Sequence, residues 1–481
     1  MSGTRPVRVC LILEGTYPYI PGGVSGWTHE LIQQLPEIEF VLLTLSPPGP
    51  KKQGYTPPPN VVSISDHVLQ ISGEEFASTE EYHATERVEL LHRMKGRATH
   101  PDVRELLEDL RTVAQLNPLA PGGSRRGSRR AMRSFWNQIM ERYTLRNPFY
   151  ALGEFFWTWF NSRAMLLSLL RIEIPEADVY HTVCTGYAGF VGAIARATTG
   201  RPLILTEHGI YHRERSIEID ASRELRGQQR DQWKELFFAL SRLSYAASDR
   251  VITLFEANRK LELALGAPPD ISTVIPNGID LPRFRGVVRE TRPGFHVGLV
   301  GRVVPIKDIK TFIVAARGVL EQVPEAEFHC IGPDEESPEY VQECRDLVKA
   351  LGIESSFHFT GRQNVLEYYA FLDVVVLSSL SEAQPLVILE ALAAGVPVVA
   401  TRVGDVPGLL DNQERFIALP KDAEGLVSRI VAIQRDPESA AAWIAERENV
   451  LDSVYDRKVV YATYGSLYQE LSENQVTAWL A

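Results

Sequence analysis

Two glutamates stand out in SEAQPLVILEALAAG, Ser381 to Gly395, because each lies in or beside a long apolar run. Glu390 is the one charged residue between Pro385 and Val399, and Glu382 lies eight residues before it. A charged side chain is rarely fully buried without a partner. The pair therefore predicts two placed acids that hold a ligand, with a core arginine as the alternative partner of Glu390.

The elements around the two acids predict what that ligand is. VVVLSS is typical of a strand, and Pro385 suits the first position of the helix that follows. The free amides of Leu386 and Val387 would then form an anion site at the helix N-terminus. Glu390 lies five residues beyond Pro385, roughly 7 to 8 Å along the axis at 1.5 Å per residue. This distance suits a phosphate and the ribose of one nucleotide, so we expect Glu390 to accept ribose hydroxyls and Glu382 to lie at the sugar end.

Two cations follow an earlier strand end in GLVGRVVPIKDIKTF. The strand ends at Gly301, and Arg302 and Lys307 lie in the loop after it. Open α/β sheets bind ligands at such ends, where Arg can make a forked contact with phosphate and Lys acts as a point charge. The sequence contains no Asp-x-Asp, the pair that holds a metal in metal-dependent sugar transferases. The two cations are therefore predicted to flank a diphosphate without a metal, and ordinary solvated side chains are the alternative.

The N-terminal half offers two further candidates. In LEGTYPYIPGGVSGW, Gly22 and Gly23 connect a strand to a helix, and glycine would permit a positive φ and close approach to a ligand. The loop is not GxGxxG, and Ser46 rather than an acid follows the second strand, which argues against a dinucleotide site. In LILTEHGIYHRER, His208 follows a buried strand and could orient a sugar hydroxyl or transfer a proton. A tight turn and a structural histidine are the alternatives, and His181 has a similar position with weaker support.

Composition sets the limits for these hypotheses. A chain of 481 residues is too long for one ordinary core, so two or more domains are expected. The net charge of −11 argues against a nucleic-acid binder. The four cysteines are scattered without a CxxC pair, which predicts reduced thiols rather than a zinc site or disulfides.

Short apolar strands alternate with helical patterns along the chain, which predicts parallel sheets with helices on both faces. One series runs from VRVCLILEG to STVIPNG, and a second from FHVGLVGR to RFIALP. The sequence therefore predicts an α/β fold with domains at residues 1–285 and 286–455. A helical segment at 456–481 is expected to pack back on the first domain.

An irregular insertion is predicted at about residues 47–173. It opens with the proline-rich SPPGPKKQGYTPPP and contains the basic stretch GGSRRGSRRAMR, which is either a solvated loop or a dock for an anionic surface or partner. The apolar stretch around FFWTWF is interrupted by Glu154, Asn161 and Arg163, so it predicts a buried or surface-docking helix rather than a membrane span. Since the N-terminus has no predicted signal peptide, the expected location is the cytoplasm.

Taken together, these segments resemble family 4 retaining glycosyltransferases, which have the GT-B fold. The resemblance lies in GRVVPIK, VIPNGID and SEAQPLVILEALAAGVPVVATRVGDVPGLL, and Glu382 and Glu390 match the E-x7-E pair of that family. LEGTYPYIPGGVSGW, TGYAGFVGAIA and TEHGIY are similar to the cytosolic glycosyltransferases of Pel exopolysaccharide systems. This second resemblance covers nearly the whole chain.

The resemblance implies two Rossmann-like domains facing a cleft, retention at the anomeric carbon, and no metal or other cofactor. It implies UDP-glucose or a UDP-N-acetylhexosamine as donor and a growing polysaccharide as acceptor. It implies catalysis by Arg302, Lys307, Glu382 and His208, and donor binding by Gly22, Gly23, Arg302, Lys307 and Glu390. The amides of Leu386 and Val387, predicted above from the helix N-terminus, complete the donor-binding set. The implied partner is an inner-membrane synthase or export complex, at which the protein would be peripheral, and no nucleic acid is expected.

Three departures from the family pattern concern the sugar end of the site. Asp308 follows Lys307, and Asp405 follows Gly404, where many relatives have glycine, and Ala383-Gln384 replaces the commoner Gly-Phe. Two other functions remain as alternatives: a nucleotide-sugar epimerase of the same fold, and a non-catalytic nucleotide-binding subunit of a membrane synthase.

Overall fold

The computed structural model describes residues 5–70 and 151–473, apart from residues 16 and 171, together with eight isolated positions between 108 and 144. The basic stretch at 122–133 and most of the predicted insertion lie outside the described residues.

The chain divides into two compact units, each built on one parallel sheet. The first unit comprises Met1–Thr253, Asn258–Val274 and Ala462–Ala481, and the second comprises Leu254–Ala257 and Ile275–Tyr461. The predicted α/β class and the two tandem sheets are confirmed.

Seven parallel strands form the sheet of the first unit, in the order β3-β2-β1-β4-β5-β6-β7. The strands are β1 (Arg8–Glu14), β2 (Glu39–Ser46), β3 (Val61–Val68), β4 (Val179–Thr182), β5 (Leu203–Glu207), β6 (Arg250–Thr253) and β7 (Ser272–Val274). The inner strands are buried along almost their whole length, as in RVCLILE and LILTE. Such unbroken apolar runs are expected when helices cover both faces of a parallel sheet.

Within the described residues, six helices connect the strands of this first sheet. They are α1 (Gly23–Gln34), α2 (Leu152–Leu169), α3 (Tyr187–Thr199), α4 (Tyr211–Ala221), α5 (Gln228–Ala247) and α6 (Glu256–Leu265). Helix α2 carries the FFWTWF stretch, and it buries Phe155 and Trp159 but leaves Trp157 59% exposed. None of the helices in the described part of the chain is long and apolar enough to cross a membrane.

Strand β3 corrects the prediction of irregular structure over residues 47–173. It pairs in parallel with β2 at the edge of the sheet, and most of its residues are exposed. An exposed edge strand does not need the apolar run that marks a buried strand. The sequence of β3, VVSISDHV, therefore predicts a strand only weakly. The residues just before it, 47–60, form neither helix nor strand, as their prolines predicted.

Six parallel strands form the second sheet, in the order β10-β9-β8-β11-β12-β13. They are β8 (Phe295–Val300), β9 (Ala326–Ile331), β10 (Phe357–Gly361), β11 (Val374–Leu377), β12 (Val398–Thr401) and β13 (Ile417–Ala418). The chain moves outward from β8 to β10 and then returns to β11 on the other side of β8. Open α/β sheets bind ligands where the strand order reverses in this way, beyond the carboxyl ends of the strands.

The main helices of the second unit are α7 (Leu281–Arg285), α8 (Ile309–Leu320), α9 (Pro338–Ala350), α10 (Val365–Tyr369), α11 (Leu386–Ala393), α12 (Val406–Leu409), α13 (Ala423–Arg435) and α14 (Pro437–Glu446). The last helix of the described residues, α15 (Arg457–Glu473), begins in the second unit and continues into the first. It buries Val460, Tyr464, Tyr468 and Leu471.

Two buried carboxyl groups lie close together in the first unit, at the end of β5 and on α6. Glu207 accepts hydrogen bonds from the Thr185 hydroxyl, the Tyr211 amide and the Tyr245 hydroxyl. Glu262 is fully buried, and among the described residues neither of its oxygens has a hydrogen-bond partner. Burial raises the pKa of both carboxyls, and repulsion from Glu207 raises the pKa of Glu262 further.

This pair predicts that stability falls as pH rises. The folded state holds a proton on Glu262 more tightly than the unfolded chain, whose carboxyl has a pKa near 4.5. Its contribution is therefore fully present below that value and is lost as pH rises through the raised pKa of the folded state, by about 1.4 kcal/mol for each unit of difference. We expect Glu262→Gln to flatten the fall in the free energy of unfolding between about pH 5 and about pH 9, measured by urea denaturation.

The exposed Glu37, in the same unit, provides the control. Glu37→Gln should leave the pH profile of the wild type unchanged. If Glu262→Gln and the wild type lose stability in parallel as pH rises, Glu262 is ionised in the folded protein and the interpretation is wrong.

Candidate active site

The carboxyl edge of the second sheet brings two of the predicted residues into contact. Lys307 lies in the loop after β8, and Glu382 in the loop after β11, the neighbouring strand at the point where the order reverses. The Lys307 Nζ lies 2.5 Å from Glu382 Oε1, and the Ser379 hydroxyl donates to the same oxygen at 2.6 Å. Both charged side chains are less than one-fifth exposed. This edge therefore holds a partly buried cation and a carboxylate that neutralise each other.

Arg302, the second predicted cation, is more exposed and pairs with a different acid. Its Nη1 lies 2.6 Å from Glu336 Oε2, and more than half of each side chain is exposed. An exposed ion pair of this kind contributes only about 0–1 kcal/mol. Arg302 can therefore exchange Glu336 for a phosphate at little cost.

Glu390 lies on α11 with a buried tyrosine, rather than a core arginine, as its hydrogen-bond partner. The hydroxyl of Tyr369, which is fully buried at the end of α10, donates to Glu390 Oε2 at 3.2 Å. Burial raises the pKa of Glu390, while the Tyr369 hydrogen bond and the charge of the exposed Arg283 lower it. The side chain remains partly accessible, so it can accept hydroxyls from a ligand.

Helix α11 begins one residue later than predicted. Pro385 is its N-cap, with an extended ψ of 107°, and Leu386 is the first helical residue. The prediction that Pro385 occupies the first helical position was therefore wrong. The amides of Leu386 and Val387 still lie in the first turn, where helix geometry supplies no intrahelical acceptor. The end of α11 thus presents N–H donors and the positive end of the helix dipole.

One departure from the family pattern, Asp308, and one glycine that the pattern keeps, Gly404, have a local structural reason. Asp308 has a φ of 47°, a left-handed conformation that aspartate tolerates better than most residues, and its carboxylate caps α8 through the Thr311 amide and hydroxyl. Gly404 has a φ of 50°, and a Cβ there would lie 2.2 Å from the Glu382 carbonyl oxygen. Position 404 therefore requires glycine, whereas Asp308 replaces a glycine and adds a cap.

Four residues around this edge were not assigned a role from the sequence: Ser379, Tyr369, Gln384 and Asp405. Gln384 and Asp405 were visible only as departures from the family pattern. In the structure the Gln384 amide donates to Asp405 Oδ2 at 2.8 Å, and burial raises the pKa of Asp405 to about 6. Nothing in the sequence signalled Ser379 or Tyr369, because their contacts depend on tertiary packing.

The glycine loop of the first unit is accessible, but one of the two reasons predicted for its glycines, a positive φ, was wrong. Gly22 is the N-cap of α1 with an extended φ of 173°, and Gly23 is the first helical residue. Neither has a left-handed φ. A Cβ at either position would meet nothing within 4 Å, so the backbone and the first amides of α1 are open to a ligand.

His208, at the carboxyl end of β5, has an uncommitted ring nitrogen. Its ring packs edge-to-face on Trp27 with centroids 4.6 Å apart. Among the described residues its Nε2 has no hydrogen-bond partner, and burial lowers its pKa to about 4. The ring is therefore neutral at physiological pH, and its Nε2 is a buried atom whose hydrogen-bonding capacity is unused within the described residues.

His181 is a structural residue. It is fully buried, with Nδ1 2.6 Å from the Tyr468 hydroxyl and Nε2 2.8 Å from the Thr206 hydroxyl. Burial and the neighbouring His208 lower its pKa to about 3, so this ring is also neutral. Both nitrogens are occupied, in contrast to His208.

A metal site needs several His, Cys, Asp or Glu side chains close together. Within the described part of the chain, no group of three or more His, Cys, Asp or Glu side chains is arranged to hold a metal ion.

Sequence comparisons identify the class of protein that this fold and site define. Residues 294–436, which hold Arg302, Lys307, Glu382 and Glu390, match the family model described as "Glycosyl transferases group 1". The D-inositol 3-phosphate glycosyltransferase of Saccharomonospora viridis is 28% identical over 300 residues, which are 58% of this chain and 68% of that protein. The Escherichia coli UDP-Gal:alpha-D-GlcNAc-diphosphoundecaprenol alpha-1,3-galactosyltransferase is 26% identical over 290 residues, 56% of this chain and 70% of that protein.

Solved structures agree with the fold. Anabaena Alr3699/HepE in complex with UDP superimposes with a TM-score of 0.59 at 15% identity, covering 96% of this chain and all of that one. The sucrose-phosphate synthase of Thermosynechococcus elongatus gives a TM-score of 0.57 at 17% identity, covering 97% of this chain and 99% of that one. At these identities the likeness establishes the GT-B fold.

The chain is thus an enzyme of the glycosyltransferase class, a hexosyltransferase with two Rossmann-like sheets. Residues 7–270, more than half of its length, match the model described as "Domain of unknown function (DUF3492)", and the chain belongs to that family.

The two histidines should respond differently to substitution. His181→Ala leaves the buried Tyr468 hydroxyl without its partner, which should lower the free energy of unfolding by roughly 1–3 kcal/mol before any loss of packing. His208→Ala removes no hydrogen bond within the described residues, so it should cost less stability while lowering transferase activity. Chemical denaturation and an activity assay on both variants measure this contrast. Equal stability losses would show that His208 is also structural.

Proposed function

We propose that the enzyme is a retaining, metal-independent transferase that moves a hexose or N-acetylhexosamine from a UDP-sugar to a growing exopolysaccharide of the Pel type. The observation that carries this proposal is the contact between Lys307 and Glu382 at the switch point of the second sheet. The first amides of α11 and Glu390 follow Glu382 in the sequence. The distance between those amides and Glu390 along the helix suits the phosphate and the ribose of one nucleotide.

The donor nucleotide is proposed from this arrangement of charges. The diphosphate accepts hydrogen bonds from the Leu386 and Val387 amides and pairs with Lys307 and Arg302. Phosphate thereby replaces the carboxylates that now pair with the two cations. Glu390 accepts the ribose hydroxyls. The Escherichia coli relative is named for a UDP-galactose donor, and Anabaena Alr3699/HepE was solved with UDP-glucose, which supports a uridine nucleotide.

The chemistry proposed for these residues is positioning and charge stabilisation. Negative charge grows on the diphosphate as the sugar departs, so contacts from Lys307 and Arg302 strengthen in the transition state. Glu382, released from Lys307, holds the transferred sugar. For His208, the contact with the donor sugar that the family resemblance implies stays a prediction. A front-face reaction, in which the leaving phosphate helps to deprotonate the acceptor hydroxyl, gives retention without a protein nucleophile.

The acceptor and partner follow from the Pel-type resemblance and one surface feature. Trp157 on α2 is 59% exposed, Trp136 is 45% exposed, and Trp136 lies against Phe156 with ring centroids 6.2 Å apart. An exposed aromatic patch suits docking to another surface. We propose that it contacts an inner-membrane synthase complex, and the cytoplasmic location stays a prediction.

The first test of the donor site is calorimetric titration with UDP. Glu390→Ala should weaken binding of both UDP and UDP-sugar by about 1.5–3 kcal/mol, since the ribose is common to both and the lost contact is charge-assisted. Glu382→Ala should leave UDP affinity nearly intact and lower turnover, because the assigned contact is with the sugar.

Glu424→Ala, which alters an exposed acid on α13, is the matched control and should change neither quantity. Equal loss of UDP affinity in the Glu390 and Glu382 variants would contradict the division of roles. A wild-type protein that binds no uridine nucleotide and releases no UDP from any UDP-sugar would overturn the proposed function itself.

Metal independence is tested by chelation. Because Arg302, Lys307 and the amides of α11 are proposed to balance the diphosphate charge, EDTA should leave the rate of UDP release unchanged. A metal-dependent transferase assayed in parallel confirms that the chelator is effective. Loss of activity in EDTA with recovery on addition of Mn²⁺ would show that the charge assignment is wrong.

A further inference from the structure

Gln384 lies between Glu382 and Glu390 in the sequence. Its side chain is almost completely buried, with 6% of the residue's surface exposed. Its Oε1 accepts the Asn277 amide at 2.7 Å. Its Nε2 donates to the Leu254 carbonyl at 3.2 Å and to Asp405 Oδ2 at 2.8 Å. One side chain thus joins three separate segments of the second unit to the loop that carries Glu382.

The loop after β12 is bonded to the same segment through its backbone. The Asp405 amide donates to the Ala383 carbonyl at 2.8 Å. Gly404 packs so closely on the backbone of Glu382 and Ala383 that an added Cβ would overlap both carbonyl oxygens. Side-chain and backbone contacts therefore fix the two loops against each other.

These contacts matter because residues 378–385 form neither helix nor strand. No ladder of backbone hydrogen bonds holds the Glu382 carboxylate or sets the direction in which α11 begins. The first half of the segment is held by single contacts such as the Leu380 amide to the Ile306 carbonyl, and the Gln384 and Asp405 contacts hold the half that leads into α11. A binding site holds its groups in a productive geometry only when such supporting contacts lock them.

We propose that Gln384 and Asp405 are positioning residues, which hold Glu382 and the first amides of α11 in the geometry that binds the donor. This inference rests on the proposed UDP-sugar site. Neither side chain is assigned a contact with the ligand. In the family pattern, phenylalanine stands at the position of Gln384 and glycine at that of Asp405. Here the two side chains form a hydrogen bond that joins the two loops.

The pair also gives a pH signature. Two groups face Asp405: Gln384 from the Glu382 loop, and Tyr455 from the segment before α15. Burial and the Asp405 charge both raise the pKa of Tyr455. Burial raises the pKa of Asp405 to about 6, so it gains a proton as pH falls through that value. Its hydrogen bond from Gln384 then loses the assistance of the charge. Turnover should therefore decline as pH falls below about 6. Asp405→Asn should remove the part of this decline that protonation of Asp405 causes, while any part that Glu390 causes persists.

A reciprocal exchange tests the pair. Gln384→Glu places two carboxylates against each other and should lower kcat on the order of 100-fold, with a smaller change in KM for the UDP-sugar. Adding Asp405→Asn restores the hydrogen bond with donor and acceptor exchanged, and it should recover kcat by about tenfold. Gln363→Ala, at an exposed glutamine in the same unit, is the control and should behave as the wild type.

Hydrogen–deuterium exchange gives a readout that does not depend on activity. In Gln384→Glu the amides of residues 382–388 and 404–406 should exchange faster than in the wild type, while the strands of the second sheet keep their protection. The double variant should restore protection. Unchanged exchange at those residues, or no recovery in the double variant, would overturn the inference. A wild type without UDP binding, but with the expected exchange pattern, would instead remove the proposed function and leave the pair as a positioning device.

Discussion

Charge balance at the carboxyl edge of the second sheet is the constraint on which the candidate site depends. The strand order makes β8 and β11 neighbours, so the loops that follow them place Lys307 and Glu382 2.5 Å apart. Both side chains are mostly buried, and either charge without the other would be costly. In the proposed reaction a diphosphate replaces the carboxylate as partner of Lys307, which frees Glu382 for the sugar. The contact that stabilises the loops is therefore also the one that a donor must exchange.

The other groups at this edge depend on packing in the same way. Glu390 is held by Tyr369 from a different helix, and Gln384 and Asp405 join the loops on either side of Glu382. The first unit shows that a raised pKa alone does not identify a catalytic acid. The pKa of Glu262 is raised by burial, yet it lies on α6 with no accessible surface on which a ligand could bind. Accessibility at a strand end, together with a neighbouring cation, is what distinguishes Glu382.

The fold was largely predictable from the sequence, because buried parallel strands give continuous apolar runs that local patterns detect. Strand β3 was missed since an exposed edge strand lacks such a run, and Pro385 was placed one position too far into α11 because capping depends on its ψ angle. Motifs placed Arg302, Lys307 and Glu382 beyond the ends of two strands and Glu390 on the helix that follows Glu382. They did not reveal that Lys307 pairs with Glu382 or that Tyr369 supports Glu390, since those contacts join segments distant in sequence. The role of Asp308 as a helix cap in a left-handed conformation also became clear only from the backbone.

The most direct test of the proposed donor site is a crystal structure of the protein with UDP. The proposed site predicts the ribose hydroxyls on Glu390, the diphosphate on Lys307, Arg302 and the first amides of α11, and the Lys307–Glu382 contact broken. A nucleotide bound elsewhere, or bound while Lys307 remains paired with Glu382 and Glu390 makes no contact with the ribose, would contradict it.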